Sequence, residues 1–297
     1  MFPHVPVLLN EVMEALSMKP GGRYVDGTLG LGGYAEQIVS RLDETGEFLG
    51  IDTDSTYLEF VKDRLQPLGK KTRIRHVNFR RLQEILQELG WDSVDGMVFD
   101  LGLSSTQLAE ASRGLSFMND GPLDMRLNPS QSTTALSYLQ SIDRHQLVTL
   151  LIEFGEGRFA KRLSEMILRG VSDNTIHTTF DLARICERVK GRHGKKHPAT
   201  EVFLALRSEI NAEQRVLKEL LDKAPLWLKE SGRLVVVSFH SLEDRIVKNS
   251  FRYWTKEYVG PEKYSLVYKK PLVPSLDEVK QNPRSRSAKL RTLMRVS

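Results

Sequence analysis

Three apolar runs in the first hundred residues each close on an aspartate: Tyr24-Val25-Asp26, Phe48-Leu49-Gly50-Ile51-Asp52 and Met97-Val98-Phe99-Asp100. Runs this short suit strands better than helices. With 73–77 and 233–238 they make five strand candidates, and a segment of helical length separates each of the first four from the next. Such alternation predicts an α/β fold built on a parallel, doubly wound sheet. The fifth candidate comes about 130 residues after the fourth, so a large segment is inserted between them. Within it, 144–154, 158–168, 180–189 and 202–221 repeat apolar residues every three or four positions, which predicts helices. A helix over 242–254 and strands over 265–269 and 289–296 follow, making seven strands in all. The short chain after the fifth strand fits an additional strand pair closing the sheet better than a second dinucleotide-binding half.

A chain of 297 residues, 40% of them hydrophobic, can bury a proper interior and is not disordered as a whole. No window approaches the roughly 18 uninterrupted apolar residues of a membrane helix, and Met1-Phe2-Pro3-His4 has neither the basic start nor the apolar core of a signal peptide. A soluble, cytoplasmic protein is expected. The single cysteine, Cys186, excludes an internal disulfide and any thiolate metal cluster. The net charge of +5 permits a polyanionic partner without requiring one. Basic residues cluster at 188–197 and from Pro283 onward, and Arg192, Lys195, Lys196, Arg284 and Arg286 are the candidates for phosphate contact, against the alternative of solvated loop and tail charge.

The first apolar run leads into Gly27-Thr28-Leu29-Gly30-Leu31-Gly32-Gly33, where four glycines let the backbone turn tightly and approach a ligand. The following helix can start at Tyr34. Asp52 lies 22 residues beyond Gly30, placed to accept hydrogen bonds from ribose hydroxyls. That spacing alone admits NAD or S-adenosylmethionine. Asp26 immediately before the turn favours the second, because its carboxylate would repel a pyrophosphate and attract an ammonium or sulfonium. A tight turn in any α/β domain is the plainer alternative.

Asp100-Leu101-Gly102-Leu103-Ser104-Ser105 puts an acid and a turn at the carboxyl edge of the sheet, where ligands of open α/β sheets bind. Methyltransferases of exocyclic amino groups carry an Asp or Asn here, although the rest of their Asp-Pro-Pro-aromatic pattern is absent. Ser238-Phe239-His240-Ser241-Leu242-Glu243-Asp244-Arg245 follows the fifth strand. It lacks the nucleophile elbow of a hydrolase, and Ser241 with Asp244 reads as a helix cap instead. For His240, packing or hydrogen bonding is expected rather than proton transfer.

The segments His4-x-Pro6-Val7-Leu8-Leu9, Asp26-Gly27-Thr28 with Gly32-Gly33, Asp100-Leu101-Gly102-x-Ser104-Ser105-x-Gln107-Leu108, Pro122-Leu123-Asp124-Met125-Arg126, His197-Pro198-Ala199-Thr200, Ser238 to Lys248 and Asn282 to Arg291 together resemble the RsmH (MraW) methyltransferases from end to end. The resemblance implies a class I methyltransferase Rossmann-like sheet with an inserted helical domain, the core at 1–107 and 213–297 and a substrate-recognition insertion at 108–212. It implies S-adenosylmethionine-dependent methylation of the N4 amine of one cytidine in small-subunit (16S) ribosomal RNA, at the decoding centre. The implied partner is that RNA within the small subunit, with no DNA, membrane or metal.

By position the family's cofactor contacts fall on Gly32, Gly33, Tyr34, Asp52, Phe79, Asp100 and Gln107, with Phe79 against the adenine and Asp100 also catalytic. Three positions depart from the family: Tyr34 stands where His is usual, Leu115 where Phe is usual, and Leu204 where Gln is usual. Two other classes stay open at this stage. An NAD-dependent oxidoreductase would bind NADH, and a non-catalytic RNA-binding factor would have no need of acids at 26, 52 and 100.

Overall fold

The computed structural model describes residues 6–192 and 196–297. The chain forms two compact units, one from Met1–Gly102 with Gln214–Ser297 and the other from Leu103–Glu213.

The first unit is built on a seven-stranded sheet: β1 (Arg23–Asp26), β2 (Glu47–Asp52), β3 (Lys71–His76), β4 (Val94–Asp100), β5 (Leu228–Ser238), β6 (Tyr264–Leu266) and β7 (Lys289–Arg295). Their spatial order is β3-β2-β1-β4-β5-β7-β6. The first five are mutually parallel, and β7 runs antiparallel between β5 and β6. This is the class I methyltransferase arrangement. Its strand order reverses between β1 and β4, and a crevice opens at such a switch point. Strand existence agrees with the sequence reading throughout. The main difference is β5, which begins five residues before the apolar run because Leu228 pairs with Val94 across a register shift.

Helices cover both faces: α1 (Leu9–Leu16), α2 (Gly33–Ser40) and α3 (Leu58–Leu65) on one, α4 (Leu82–Glu88), with the helical residues 217–221 and 247–254, on the other. Strand residues alternate between the two cores. Val25, Leu49, Ile51, Met97, Phe99, Leu234 and Val236 pack with α4, whereas Tyr24, Phe48, Val98, Val235 and Val237 pack with α1 to α3. A period of two sends neighbours to opposite faces, and burial on both faces explains why the strands read as continuous apolar runs.

The second unit is helical, as the periodicity predicts: α5 (Ser105–Ala109), α6 (Ala135–Ser141), α7 (Arg144–Glu153), α8 (Ala160–Ser172), α9 (Thr179–Lys190) and α10 (Thr200–Ile210). Capping boxes open α5 with Ser104 and Gln107, α6 with Thr134 and Ser137, α7 with Asp143 and Gln146, and α9 with Thr178 and Asp181. Each box satisfies backbone donors that a helix start leaves open. Leu115 is buried here, and Leu204 is half-buried on α10.

The single apolar stretch 202–221 is two helices, α10 and α11 (Glu213–Leu221). Asn211 ends the first, donating from Nδ2 to the carbonyls of Met125 and Arg207 while Oδ1 accepts the Leu127 N–H. Ala212 then takes φ +52°. In the first unit, α12 (Ser241–Lys256) follows β5 and α13 (Leu276–Gln281) precedes β7. No helix among the described residues is long and apolar enough to cross a membrane.

Candidate active site

The loop after β1 is stitched to the two neighbouring strands by its own backbone. Gly27 donates to Val98 at 2.9 Å and Leu29 to Ile51 at 3.0 Å. Position 27 has to be glycine, because a Cβ there would sit 2.0 Å from the Phe99 ring. Gly32 caps α2 at φ +75°, a conformation that suits glycine, and α2 begins at Gly33, one residue before the expected start. Tyr34 is buried on α2, and its hydroxyl donates to the Val7 carbonyl. Tyr34 is therefore anchored in the core, leaving the helix start to present its backbone.

Asp26, Asp52 and Asp100 end β1, β2 and β4, three adjacent parallel strands, and so meet at one edge of the sheet. Asp26 is fully buried; Oδ1 accepts the Thr28 N–H at 3.1 Å, while Oδ2 has no hydrogen-bond partner among the described residues. Burial pushes its pKa up to about 7, aided by the nearby charge of Asp52. Asp100 is half-buried as a residue, yet its Oδ1 is shielded from solvent and also lacks a hydrogen-bond partner among the described residues. Burial first and Asp26 second push its pKa up to about 8. Asp52 accepts from Gly30 N–H at 2.7 Å and Asp54 N–H at 2.8 Å, and burial raises its pKa against those two bonds. Three interacting acids with two orphaned oxygens form a site that favours a cationic ligand.

Phe79 follows β3 in a short 3-10 turn, half-buried, with its ring edge-on to Phe99 at a centroid distance of 5.5 Å. It lines a cleft of about 550 Å³ with Trp227, Arg80 and Glu219.

A family model of the MraW methylases matches residues 1–296. The chain belongs to that family. The methylase is 41% identical over its full length to a protein of Carboxydothermus hydrogenoformans, covering 99% of that relative. It is 40% identical to one of Maridesulfovibrio salexigens, over 98% of this chain and 95% of the relative. A third relative, from Clostridioides difficile, is 37% identical over 99% of both chains. All three carry the name Ribosomal RNA small subunit methyltransferase H. The methylase takes S-adenosylmethionine as its cofactor.

The remaining residues singled out in the sequence fall elsewhere. Gln107 lies in the 103–213 unit, where its Oε1 accepts the Ser104 N–H at 2.9 Å. Arg192 is exposed and donates to Glu187, and Lys196 pairs with Glu201. Lys190 in the same run reaches the buried Glu156, so much of that basic segment is neutralised by its own acids. Lys195 lies outside the described residues. Arg284 and Arg286 are exposed on the turn before β7.

The helix cap expected from Ser241 and Asp244 is formed one residue earlier. His240 is the N-cap and Glu243 closes the box, its Oε2 accepting from Phe239 and His240 N–H. His240 thus holds a helix start, in line with a hydrogen-bonding role. Asp244 bonds Lys289 and Arg291 on β7 instead, and those two cations hold its carboxyl below the usual range despite burial. Sequence reasoning gave Thr28 no role, yet its hydroxyl oxygen accepts the Asp100 N–H at 2.6 Å. The signal available was a β-branched hydroxyl residue directly after Asp-Gly in a cofactor-type loop.

Proposed function

We propose that the protein transfers the methyl group of S-adenosylmethionine to the N4 amine of one cytidine in small-subunit (16S) ribosomal RNA, at the decoding centre. The observation that carries this reading is Asp100. It is an acid at the strand-order switch point, with one shielded, unpartnered oxygen, beside a second orphaned carboxyl oxygen on Asp26. The names of the relatives supply the RNA, and the chemistry of an exocyclic amine fits the acid.

The residues present suit the cofactor. Asp26 would face its cationic groups, which a pyrophosphate ligand would not offer. Asp52 retains lone pairs beyond its two backbone bonds with which to accept ribose hydroxyls. Gly32, whose own N–H bonds the Leu29 carbonyl at 2.8 Å, would turn the chain so that Gly33 and Tyr34 present backbone N–H groups at the start of α2, favourable to a carboxylate. Phe79 would pack on the adenine, and Gln107 would complete the contacts. When bound, S-adenosylmethionine supplies an electrophilic methyl group.

The N4 lone pair of cytosine is delocalised into its ring, so the protein's task is chiefly to position and polarise. Asp100 accepts a hydrogen bond from the amine and stabilises the positive charge that develops there. A cationic cofactor beside it would favour its ionised form, which can then take up the proton that N4 releases. The target base must leave its stack, at a cost of a few kcal/mol. The helical 103–213 unit is the part we assign to RNA recognition, through Arg192, Lys195 and Lys196, and Arg284 and Arg286 of the first unit are assigned as further phosphate contacts.

Mass spectrometry of 16S RNA from cells lacking the protein tests the reading. One cytidine methyl group should vanish and return when the wild-type gene is restored, but not when Asp100→Ala is supplied. Unchanged RNA, or full restoration by the variant, would contradict it.

A further inference from the structure

Asp100 sits on β4, while the residues proposed to hold the cofactor begin on the loop after β1, and the methyl transfer needs the two in fixed relation. Among the described residues a side-chain hydrogen bond joins them. The Asp100 N–H donates to Thr28 Oγ1 at 2.6 Å, across 72 positions of sequence. Thr28 is fixed in turn by its own N–H, which donates to Asp26 Oδ1 at 3.1 Å. On either side of it Gly27 bonds to β4, while Leu29 and Gly30 bond to β2. Thr28 is therefore where the loop that joins all three acids touches the backbone of Asp100.

We infer that Thr28 is a positioning residue of the methyl transfer: its hydroxyl fixes the backbone of Asp100 relative to the cofactor loop. The inference rests on the reading of Asp100 as the acid that holds the amine. Asp100 is the last residue of β4 to pair with β5, opposite Val237, and its Oδ1 makes no hydrogen bond among the described residues. Losing the Thr28 bond leaves a part-buried N–H unsatisfied at the end of β4, and a displacement of about 1 Å is enough to degrade an aligned transfer. The adjacent bonds from Gly27, Leu29 and Gly30 are backbone donors that a change of the Thr28 side chain does not remove, so the cofactor loop keeps its shape.

The test compares Thr28→Val, which keeps the shape and removes the acceptor, with Thr28→Ser, which restores a hydroxyl. The full-length protein is assayed with S-adenosylmethionine on small subunits from cells lacking it. Thr28→Val should lower kcat about 10- to 100-fold, with the calorimetric Kd for S-adenosylmethionine within about threefold of wild type. Thr28→Ser should recover most of the rate. A Thr28→Val enzyme with wild-type kcat overturns the inference, and so does a Thr28→Ser enzyme as slow as Thr28→Val. Asp100→Ala in the same assay separates the two levels. If it stays active the reading of Asp100 falls and takes this inference with it; if it is inactive while Thr28→Val is normal, only the role of Thr28 is lost.

Discussion

The pKa values of Asp26 and Asp100 are pushed up to about 7 and about 8 because burial penalises the charged carboxylate, with Asp52 adding to the cost at Asp26 and Asp26 to the cost at Asp100. The sign of the consequence for stability follows from proton counting. Between the ordinary carboxyl range and pH 7 to 8 the folded protein binds more protons here than the unfolded chain does, so stability falls as pH rises through that window. The cofactor-free protein should therefore melt at progressively lower temperature from pH 5 to about pH 8. Asp26→Asn removes one of the two groups and relieves the other, so its pH dependence should be shallower and its Tm at pH 8 above wild type. A Tm that climbs with pH in wild type, or an Asn variant that tracks it in parallel, would contradict the assignment. These acids could be read from sequence because each closes an apolar run. Thr28 could not, since its contribution is a contact with a residue distant along the chain.

Among the elements, α12 shows how a short motif can be read correctly as a cap and placed one residue off. Ser241 and Asp244 have the right spacing, but His240 takes the N-cap and Asp244 turns toward the cations of β7. Only the strand pairing that brings Lys289 opposite Ser238 makes that choice visible. Asp244→Ala should destabilise the protein by about 2 kcal/mol by leaving its partners without an acceptor, read as a lower urea midpoint at unchanged m. Breaking the box with Glu243→Ala should cost about 1 kcal/mol. The α10–α11 break escaped periodicity for a similar reason. Apolar spacing continues through 202–221, and the stop comes from the hydrogen bonds of Asn211 to the distant Met125 and Leu127 segments. Asn211→Ala should accordingly cost about 2 kcal/mol, through buried backbone groups left unpaired.

At the scale of the whole molecule, the seven strands and their long interruption were legible because a doubly wound sheet buries both faces and writes itself as apolar runs. The antiparallel return of β7 between β5 and β6 was only partly so, resting on the number of strands rather than on any local signal. Both hydrophobic clusters of the sheet are drawn wholly from residues before 103 and after 213. A chain with 103–213 replaced by a short glycine-serine linker should therefore still fold cooperatively. It should bind S-adenosylhomocysteine, weakened by the loss of Gln107, and show no methyl transfer to small subunits. Failure to fold would contradict the independence of the core, and residual transfer would contradict the recognition role proposed for the insertion.

On the proposed reading, an acid at this sheet edge directs a methyl group onto an exocyclic nitrogen. Purified protein, S-adenosylmethionine carrying an isotopically labelled methyl group, and small subunits from cells lacking the protein provide the direct measurement. After digestion of the RNA to nucleosides, the label should appear on N4 of cytidine at a single site, and should be absent with Asp100→Ala. Label on a ring carbon, a ribose oxygen or another base would contradict the claim.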